Sequence, residues 1–403
     1  MSFRADSLST HPPSRALVTG VSLGLLALLT IAPLIGEPSR NALLEPYSST
    51  AATVLAEAVV LLLMGLALAA RVRLERASEP RAARNMALFA VLAGTMTLMH
   101  WIEVDGQPVL RKWQQKIYLQ QFNGDYEVPH NYRPLPQGFA CLLERLTHNW
   151  DFACISYRWF FTTWFLWASH ALARRYLDRS RARLTLGPLV LLYPLSILHY
   201  GGQLTDPLNH MLFVLAFLYL LEDRPVALAA ALALGIVAKE TIVIVGPAYL
   251  ACYWRRGWRA WWITAALGGV CVVAFVATRL PLGWRPAADR MNNVGLMIGT
   301  NLGFGEPIAN HILPLWENYL HPLLFVGLFL PAIAWRWRVL DPHLRTLGLL
   351  VTTLLLVSNV CYGWLYESRN YIPLVPLLAT LAMPPARRDA VQSERKECHR
   401  IGA

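Results

Sequence analysis

The feature that most constrains this chain is a series of apolar runs, each approaching the length that crosses a lipid bilayer. The chain has 403 residues, of which 55% are hydrophobic, and its mean hydropathy is +0.38. A bilayer core is spanned by about 20 apolar residues in a helix, and within lipid the backbone must satisfy its own hydrogen bonds. We therefore predict an all-α fold, a polytopic transmembrane helical bundle of about 12 membrane segments including one short hairpin pair. The predicted segments are 17–36, 51–70, 86–102, 155–173, 184–200, 208–222, 226–238, 241–254, 260–279, 320–335, 346–362 and 371–384.

These segments divide into three parts. Residues 1–84 are predicted to form two N-terminal helices and a basic cytoplasmic loop, residues 85–384 a transmembrane core, and residues 385–403 a basic tail. The first apolar run lacks a small-residue cleavage site, so we interpret it as an uncleaved helix and not a signal peptide.

The basic residues lie mostly in short connections between apolar runs. Five Arg fall in 71–84 and five more in 174–183, within a chain of net charge +11. Short loops rich in Arg and Lys tend to stay in the cytoplasm. This distribution indicates membrane topology and no nucleic-acid partner. It places loop 103–152 outside and both termini inside.

Lys239 and Glu240 interrupt one apolar stretch, in the sequence ALALGIVAKETIVIVG. A charged side chain at bilayer depth costs about 2.5–3.5 kcal/mol, so the pair should face a polar cavity or a partner. A pair that snorkels to a nearby membrane surface is the alternative. If two short helices turn at this pair, the Arg and Lys residues after position 252 divide into eleven inside and four outside, which favours a hairpin.

With this topology, the outer loop 103–152 carries the first candidate chemistry. It opens with Glu103 and Asp105, two carboxylates that can converge on a metal or supply a general base. An ordinary solvated pair at a helix end is the alternative. Residues 109–122 form an amphipathic stretch that should lie on the membrane surface. Arg133 follows in NYRPLPQGF and is a candidate phosphate ligand, because guanidinium groups match phosphate oxygens.

The order of these features resembles the GT-C superfamily of polytopic glycosyltransferases, which use polyprenyl-phosphate sugars, and in particular its uncharacterised bacterial members. The resemblance covers roughly residues 85–384; the two segments before the acidic loop depart from the common pattern of one. It is carried by Glu-x-Asp at 103–105, the surface helix, the YRPLP segment at 132–136, Asp206, AKET at 238–241 and YESRNYIPLVPLL at 366–378.

The resemblance implies transfer of a sugar from a polyprenyl-phosphate carrier to a glycan, lipid or protein acceptor, at the outer face of a bacterial inner membrane. Asp105 is then the candidate catalytic base, and Glu103 either assists it or shares a divalent metal with it, Mg²⁺ or Mn²⁺. Asp206 and Glu367 are expected to orient the cations or to bind sugar hydroxyls. The predicted substrate-binding residues are Tyr132, Arg133, Asp206, Lys239, Glu240, Glu367 and Arg369.

Lys239 is the residue predicted to bind the phosphate, with Arg133 or Arg369 nearby. It lies too deep to be solvated by bulk water, and Glu240, its neighbour on a helix, should point about 100° away. Two other classes of function stay open. The same charges could line the pathway of a transporter or flippase for a lipid-linked saccharide, or the chain could be a scaffold for envelope assembly.

Overall fold

A computed structural model of the chain describes residues 82–101, 132–197, 203–280, 294–303 and 315–384. Within these ranges the regular elements are all helices. The fold class predicted from the sequence is therefore confirmed as all-helical for the described chain. The predicted segments 17–36 and 51–70, the surface helix 109–122 and the tail 385–403 lie outside the described residues.

The α-helices of the described ranges are numbered in chain order. They are α1 (Ala82–His100), α2 (Pro134–Thr147), α3 (Trp150–Arg174), α4 (Arg179–Leu184), α5 (Leu186–Leu192), α6 (Thr205–Leu221), α7 (Pro225–Ala238), α8 (Gly246–Tyr253), α9 (Trp258–Arg279), α10 (Val294–Leu302), α11 (Leu315–Phe325), α12 (Leu330–Arg336), α13 (Pro342–Tyr362) and α14 (Leu374–Ala382).

Three helical stretches of the described chain are long and apolar enough to cross a membrane. They are Trp258–Arg279, Asn318–Val339 and Pro342–Tyr362. The second of these consists of α11 and α12 with short 3₁₀ turns around them. Shorter apolar helices accompany them at Asn85–His100, Thr205–Leu221 and Pro225–Ala238. The chain thus has the membrane character expected from its composition, and the number of 12 segments stays a prediction.

Helix α3 lies at the centre of the bundle and packs against α1, α2, α6 and α14. It has 25 residues, which corresponds to about 37 Å. Its start is fixed by Asn149, whose side chain accepts a hydrogen bond from the Phe152 amide. Most of its side chains are buried on all sides, as expected of a helix without a polar stripe.

The chain reverses direction after α7, as predicted at Lys239–Glu240. Lys239 is extended (φ −168°, ψ 123°), and a 3₁₀ helix follows at Glu240–Val245. Residues 241–245 are all β-branched, which disfavours continuation of the α-helix. Gly235 makes the close approach possible, because a Cβ there would lie 2.5 Å from Cδ1 of Ile242.

The returning segment reaches the start of α7, which completes the hairpin. Tyr249 Oη donates to Asp223 Oδ1 over 2.7 Å, and Arg256 Nη1 donates to Asp223 Oδ2 over 2.6 Å. Burial by itself raises the pKa of the Asp223 carboxyl, but the hydrogen bonds from Arg256 and Tyr249 bring the pKa below its usual value. Residues 224 and 256 therefore lie at the same end of the bundle.

The Arg-rich connections gather at this end, which we call the basic end. Arg183 Nη2 donates to Asn85 Oδ1 over 2.6 Å at the start of α1. Arg336 donates to the Leu381 carbonyl at the end of α14. Arg181 Nη1 donates to the Pro384 carbonyl over 3.1 Å, and the rings of Tyr253 and His343 lie 4.8 Å apart. The connections 174–183, 253–259 and 336–345 therefore lie at one end of the bundle, and the opposite ends of the same helices form a second end. Exposed tryptophans mark the basic end: Trp254, Trp258, Trp261, Trp262 and Trp335.

Candidate functional site

The described site residues predicted from the sequence all lie at the second end of the bundle, which we call the cluster end. Asp206 is in the first turn of α6, and Lys239 and Glu240 form the reversal after α7. Tyr132 and Arg133 immediately precede α2. Glu367 and Arg369 lie in the connection from α13 to α14. Glu103 and Asp105, the predicted catalytic and metal-binding pair, lie outside the described residues.

Asp206 is the centre of a buried ion-pair network. Its Oδ1 accepts from Lys239 Nζ over 3.3 Å, and its Oδ2 accepts from Arg369 Nη1 over 3.3 Å. The backbone amide of Gln203 adds a third hydrogen bond, 2.9 Å to Oδ2. The three charged side chains are each at most 7% exposed. A carboxylate this deeply buried is stable as an anion only because two cations face it.

Asn370 and Glu367 close this network into a ring. Lys239 Nζ donates to Asn370 Oδ1 over 2.7 Å, and Asn370 Nδ2 donates to Glu367 Oε2 over 2.7 Å. The other Glu367 oxygen accepts from Arg369 Nη2 over 3.4 Å. Two cations are therefore balanced by two carboxylates. We call Asp206, Lys239, Glu367, Arg369 and Asn370 the inner network.

Lys239 meets its anion within the protein, and its predicted role in binding phosphate stays a prediction. It has two partners, Asp206 and Asn370, so no lipid phosphate is needed to complete its hydrogen bonding. The expectation that Glu240 is not its partner agrees with the structure, since Glu240 binds two arginines instead. The sequence predicted Asp206 as a residue that orients the cations, and the structure places it beside Lys239; Asn370 was not predicted.

Glu240 bridges two guanidinium groups. Arg133 Nε donates to Glu240 Oε2 over 3.0 Å, and Arg279 Nη2 donates to Glu240 Oε1 over 3.2 Å. The arginine side chains are 9% and 8% exposed, whereas that of Glu240 is 21% exposed. We call Arg133, Glu240 and Arg279 the outer triad. It carries one net positive charge.

Aromatic rings hold Arg279 in place. Its guanidinium carbon lies 4.4 Å from the ring centroid of Tyr132 and 3.4 Å from that of Phe275. Stacking on both rings restricts the guanidinium to one plane, with its donors directed at Glu240. Tyr132, which was predicted to bind substrate, thus contacts Arg279, which was not predicted from the sequence.

The loop that carries Glu367 and Arg369 is fixed by Asn301 of α10. This side chain is completely buried, and its Nδ2 donates to the carbonyls of Asn359 (3.2 Å) and Gly363 (2.9 Å) at the end of α13. Its Oδ1 accepts from the Leu365 amide over 3.0 Å. Asn301 Nδ2 also donates to the Val360 carbonyl over 3.0 Å, so one amide satisfies an orphan carbonyl of the helix terminus and orients the loop that follows.

Sequence reasoning missed Arg279, Asn370 and His210 as members of the site. Arg279 ends an apolar run, where a single basic residue indicates only membrane topology. Asn370 directly follows Arg369, and His210 lies one helical turn after Asp206, where its Nε2 donates to the Arg369 carbonyl over 2.9 Å. Proximity to predicted residues, at spacings of one and four, was the signal that could have found the last two.

A cavity borders the inner network on the side of α1, α3 and α6. It is small, with a volume of about 10 Å³ that a water molecule can reach. Polar and aromatic side chains share its wall, so Asp206 and Arg369 border a polar recess and not a wholly apolar core. The lining residues are His100, Arg158, Thr162, Phe165, Tyr193, Ser196, Ile197, Asp206, Pro207, His210 and Arg369.

In the described part of the chain, no group of three or more His, Cys, Asp or Glu side chains converges in a way that could hold a metal ion. The site as described is an array of arginine, lysine and carboxylate groups, with chemistry suited to binding and stabilising an anion. Comparison of the chain with protein-family models, with curated proteins and with solved structures finds no match.

Proposed function

We propose that the protein is a membrane glycosyltransferase that moves a sugar from a polyprenyl-phosphate carrier to an acceptor on the extracytoplasmic side. The observation that carries this proposal is the outer triad, in which two buried guanidinium groups share one carboxylate. An excess of cationic hydrogen-bond donors at one end of a helical bundle suits a phosphate at the membrane surface.

The proposed orientation of the chain in the membrane is inferred from the basic end. The Arg-rich connections meet there, beside the exposed tryptophans. Basic loops favour the cytoplasmic side and tryptophans favour the membrane interface. The cluster end is then extracytoplasmic, where a lipid-linked sugar already moved across the membrane is available.

The proposed roles of the arginines follow from the negative charge that develops on the departing phosphate during sugar transfer. In a single displacement, the acceptor oxygen bonds to the anomeric carbon while the bond from that carbon to the phosphate oxygen breaks, and its electron pair leaves with the phosphate. Arg133 and Arg279 are placed to stabilise that charge, because their positions are fixed in advance. Asp105 is the proposed base for the acceptor proton, assisted by Glu103. A divalent metal held by Glu103 and Asp105 would add positive charge at the same phosphate.

The inner network has a positioning role in this proposal. Its carboxylates are occupied by Lys239, Arg369 and Asn370, so they are poorly suited to bind sugar hydroxyls. It ties the reversal after α7 to the loop before α14 through a contact between residues 131 positions apart. Lys239 and Arg369 are therefore proposed to hold the geometry of the site while Arg133 and Arg279 contact the phosphate.

The distribution of charge favours an enzyme over a flippase. Each ion pair among the described residues lies at the cluster end or at the basic end. A pathway for a charged headgroup needs polar groups through the middle of the membrane. The described helices bury mainly apolar side chains between the two ends.

The proposal is tested by incubating the purified chain with a panel of polyprenyl-phosphate sugars and measuring the release of polyprenyl phosphate. Asp105→Asn should abolish release with unchanged expression, because it removes the base without changing side-chain volume. Glu103→Gln should reduce release less if Glu103 only assists, and equally if both carboxylates hold a metal.

Asp223→Asn is the matched control, a carboxylate-to-amide change beside an arginine at the basic end. It should retain wild-type release. Release at the wild-type rate by Asp105→Asn would remove the catalytic assignment, and no release from any donor by the wild-type chain would remove the proposed activity.

A further inference from the structure

The outer triad has the form of an anion site that already contains an anion. Each oxygen of Glu240 accepts from a different arginine, over 3.0 Å from Arg133 and 3.2 Å from Arg279. We propose that the Glu240 carboxylate holds this site when no ligand is bound, and that a phosphoryl oxyanion displaces it. The identity of the ligand as a phosphoryl group rests on the proposed function.

The charges favour exchange over simple addition. A carboxylate supplies two oxygens and one negative charge, as does the phosphodiester of a polyprenyl-phosphate sugar, whereas a phosphate monoester or inorganic phosphate supplies three or more oxygens and up to two charges. The two guanidinium groups keep one uncompensated positive charge while Glu240 is bound. A phosphate dianion, such as the polyprenyl phosphate released by the proposed reaction, would neutralise both guanidinium groups in the same position, so it competes well against the carboxylate.

The two arginines form the fixed part of the site. The Arg279 guanidinium lies over the rings of both Tyr132 and Phe275. Arg133 is the residue before α2, a helix of 14 residues that begins with Pro134 and has no side-chain cap. The positive end of the α2 dipole therefore lies at the backbone of Arg133, on the same side of the bundle as the outer triad, and favours an anion there.

Glu240 is the movable part of the site. Its side chain is more exposed than either arginine, at 21% against 9% and 8%. It is the first residue of a 3₁₀ helix and follows the extended Lys239, whose own side chain stays anchored to Asp206 and Asn370. Glu240 can therefore change rotamer towards solvent while the reversal keeps its position.

If Glu240 competes with the ligand, removal of its negative charge should increase the affinity for phosphate. Glu240→Gln removes the competing anion and keeps the volume of the side chain. It should bind inorganic phosphate about tenfold more tightly than the wild-type chain, because charge-assisted contacts to the arginines no longer have to be broken first. Arg279→Gln should lose most of the binding in either background.

The measurement is a titration of the 403-residue chain in detergent with sodium phosphate. Binding is monitored by the shift in the temperature of thermal unfolding and by calorimetry. A titration with sodium chloride at the same ionic strength is the control for salt effects. Asp223→Asn is the control and should leave phosphate affinity unchanged. Glu240→Asp withdraws the carboxylate by one methylene and should give an intermediate affinity; it serves as the second variant if Glu240→Gln does not fold. Equal phosphate affinity in the wild-type chain and the folded Glu240 variant would overturn the exchange.

Farnesyl phosphate in a parallel titration distinguishes a lipid headgroup from free phosphate. Tighter binding of the lipid, with the same dependence on Glu240, assigns the site to a lipid phosphate; equal binding assigns it to free phosphate. The exchange and the proposed activity can fail separately. Stronger phosphate binding by Glu240→Gln together with no release of polyprenyl phosphate from any sugar donor would uphold the exchange and remove the glycosyltransferase.

Discussion

Lys239 and Glu240 are adjacent in the chain, yet their side chains belong to different sets of partners. Lys239 points into the inner network, where Asp206 and Asn370 bind it. Glu240 points to Arg133 and Arg279. The extended backbone of Lys239 separates the two directions, since successive side chains of an extended segment point to opposite faces. One reversal of the chain thereby supplies a residue to both the inner network and the outer triad.

Removal of the Lys239 charge should destabilise the fold. Lys239→Met leaves the buried Asp206 with Arg369 as its one remaining charged partner among the described residues, and we expect the free energy of unfolding to fall by about 3 kcal/mol or more. Denaturant unfolding in detergent measures this. The control is Arg224→Met, which removes the exposed partner of Glu222 and should change stability by less than about 1 kcal/mol.

A double-mutant cycle checks the cause. If Asp206 and Lys239 stabilise each other, the loss in Lys239→Met/Asp206→Asn should be smaller than the sum of the two single losses. A Lys239→Met chain as stable as the wild type would show that the pair contributes nothing to the fold.

At the scale of elements, the hairpin of α7 and α8 places Lys239 and Glu240 at the cluster end. The β-branched run 241–245 ends α-helical geometry, and Gly235 allows Ile242 to pack directly on α7. At the other end, Tyr249 and Arg256 bind Asp223. Two short helices, held at both ends, thus replace one spanning helix.

Gly235→Ala should disturb this hairpin. The added Cβ would lie 2.5 Å from Cδ1 and 2.7 Å from Cγ2 of Ile242, so the two segments must separate. Overpacking of this kind costs about 1–3 kcal/mol, and we expect a lower temperature of thermal unfolding.

The double variant Gly235→Ala/Ile242→Ala should recover part of that loss, because the clashing atoms are removed. Gly187→Ala is the matched control in α5, where nothing lies within 4 Å of the added Cβ, and it should not lower stability. If Gly235→Ala unfolds at the wild-type temperature, the close approach of Ile242 is not required.

At the scale of the whole molecule, the two ends have different compositions. The basic end gathers connections rich in arginine beside exposed tryptophans, and the cluster end gathers the inner network and the outer triad. In membrane proteins, connections rich in arginine favour the cytoplasmic side, so this asymmetry agrees with the proposed orientation. Because the hairpin returns the chain to the basic end, the connection 253–259 lies at the same end as the other arginine-rich connections.

The hairpin predicts the sidedness of reporter fusions. Fusions after Arg224 and after Arg259 should both report a cytoplasmic position, because the structure brings residues 223 and 256 into contact. A fusion after Gly303, beyond α9 and α10, should report the opposite side. An extracytoplasmic signal after Arg259 with a cytoplasmic one after Arg224 would contradict the hairpin and place the basic connections on different sides.

The sequence by itself determined the all-helical class, the membrane character, the reversal at Lys239–Glu240 and most of the charged residues that gather at the cluster end. These follow from local patterns: apolar length, charge within an apolar run and β-branched clustering. Only the tertiary structure decided which basic side chain pairs with which carboxylate. Arg133 and Glu240 are 107 positions apart, and Asp206 and Arg369 are 163 apart. Partner choice among buried charges depends on packing of distant helices, because desolvation makes any unmatched charge costly, and no local pattern records which partner folding brings near.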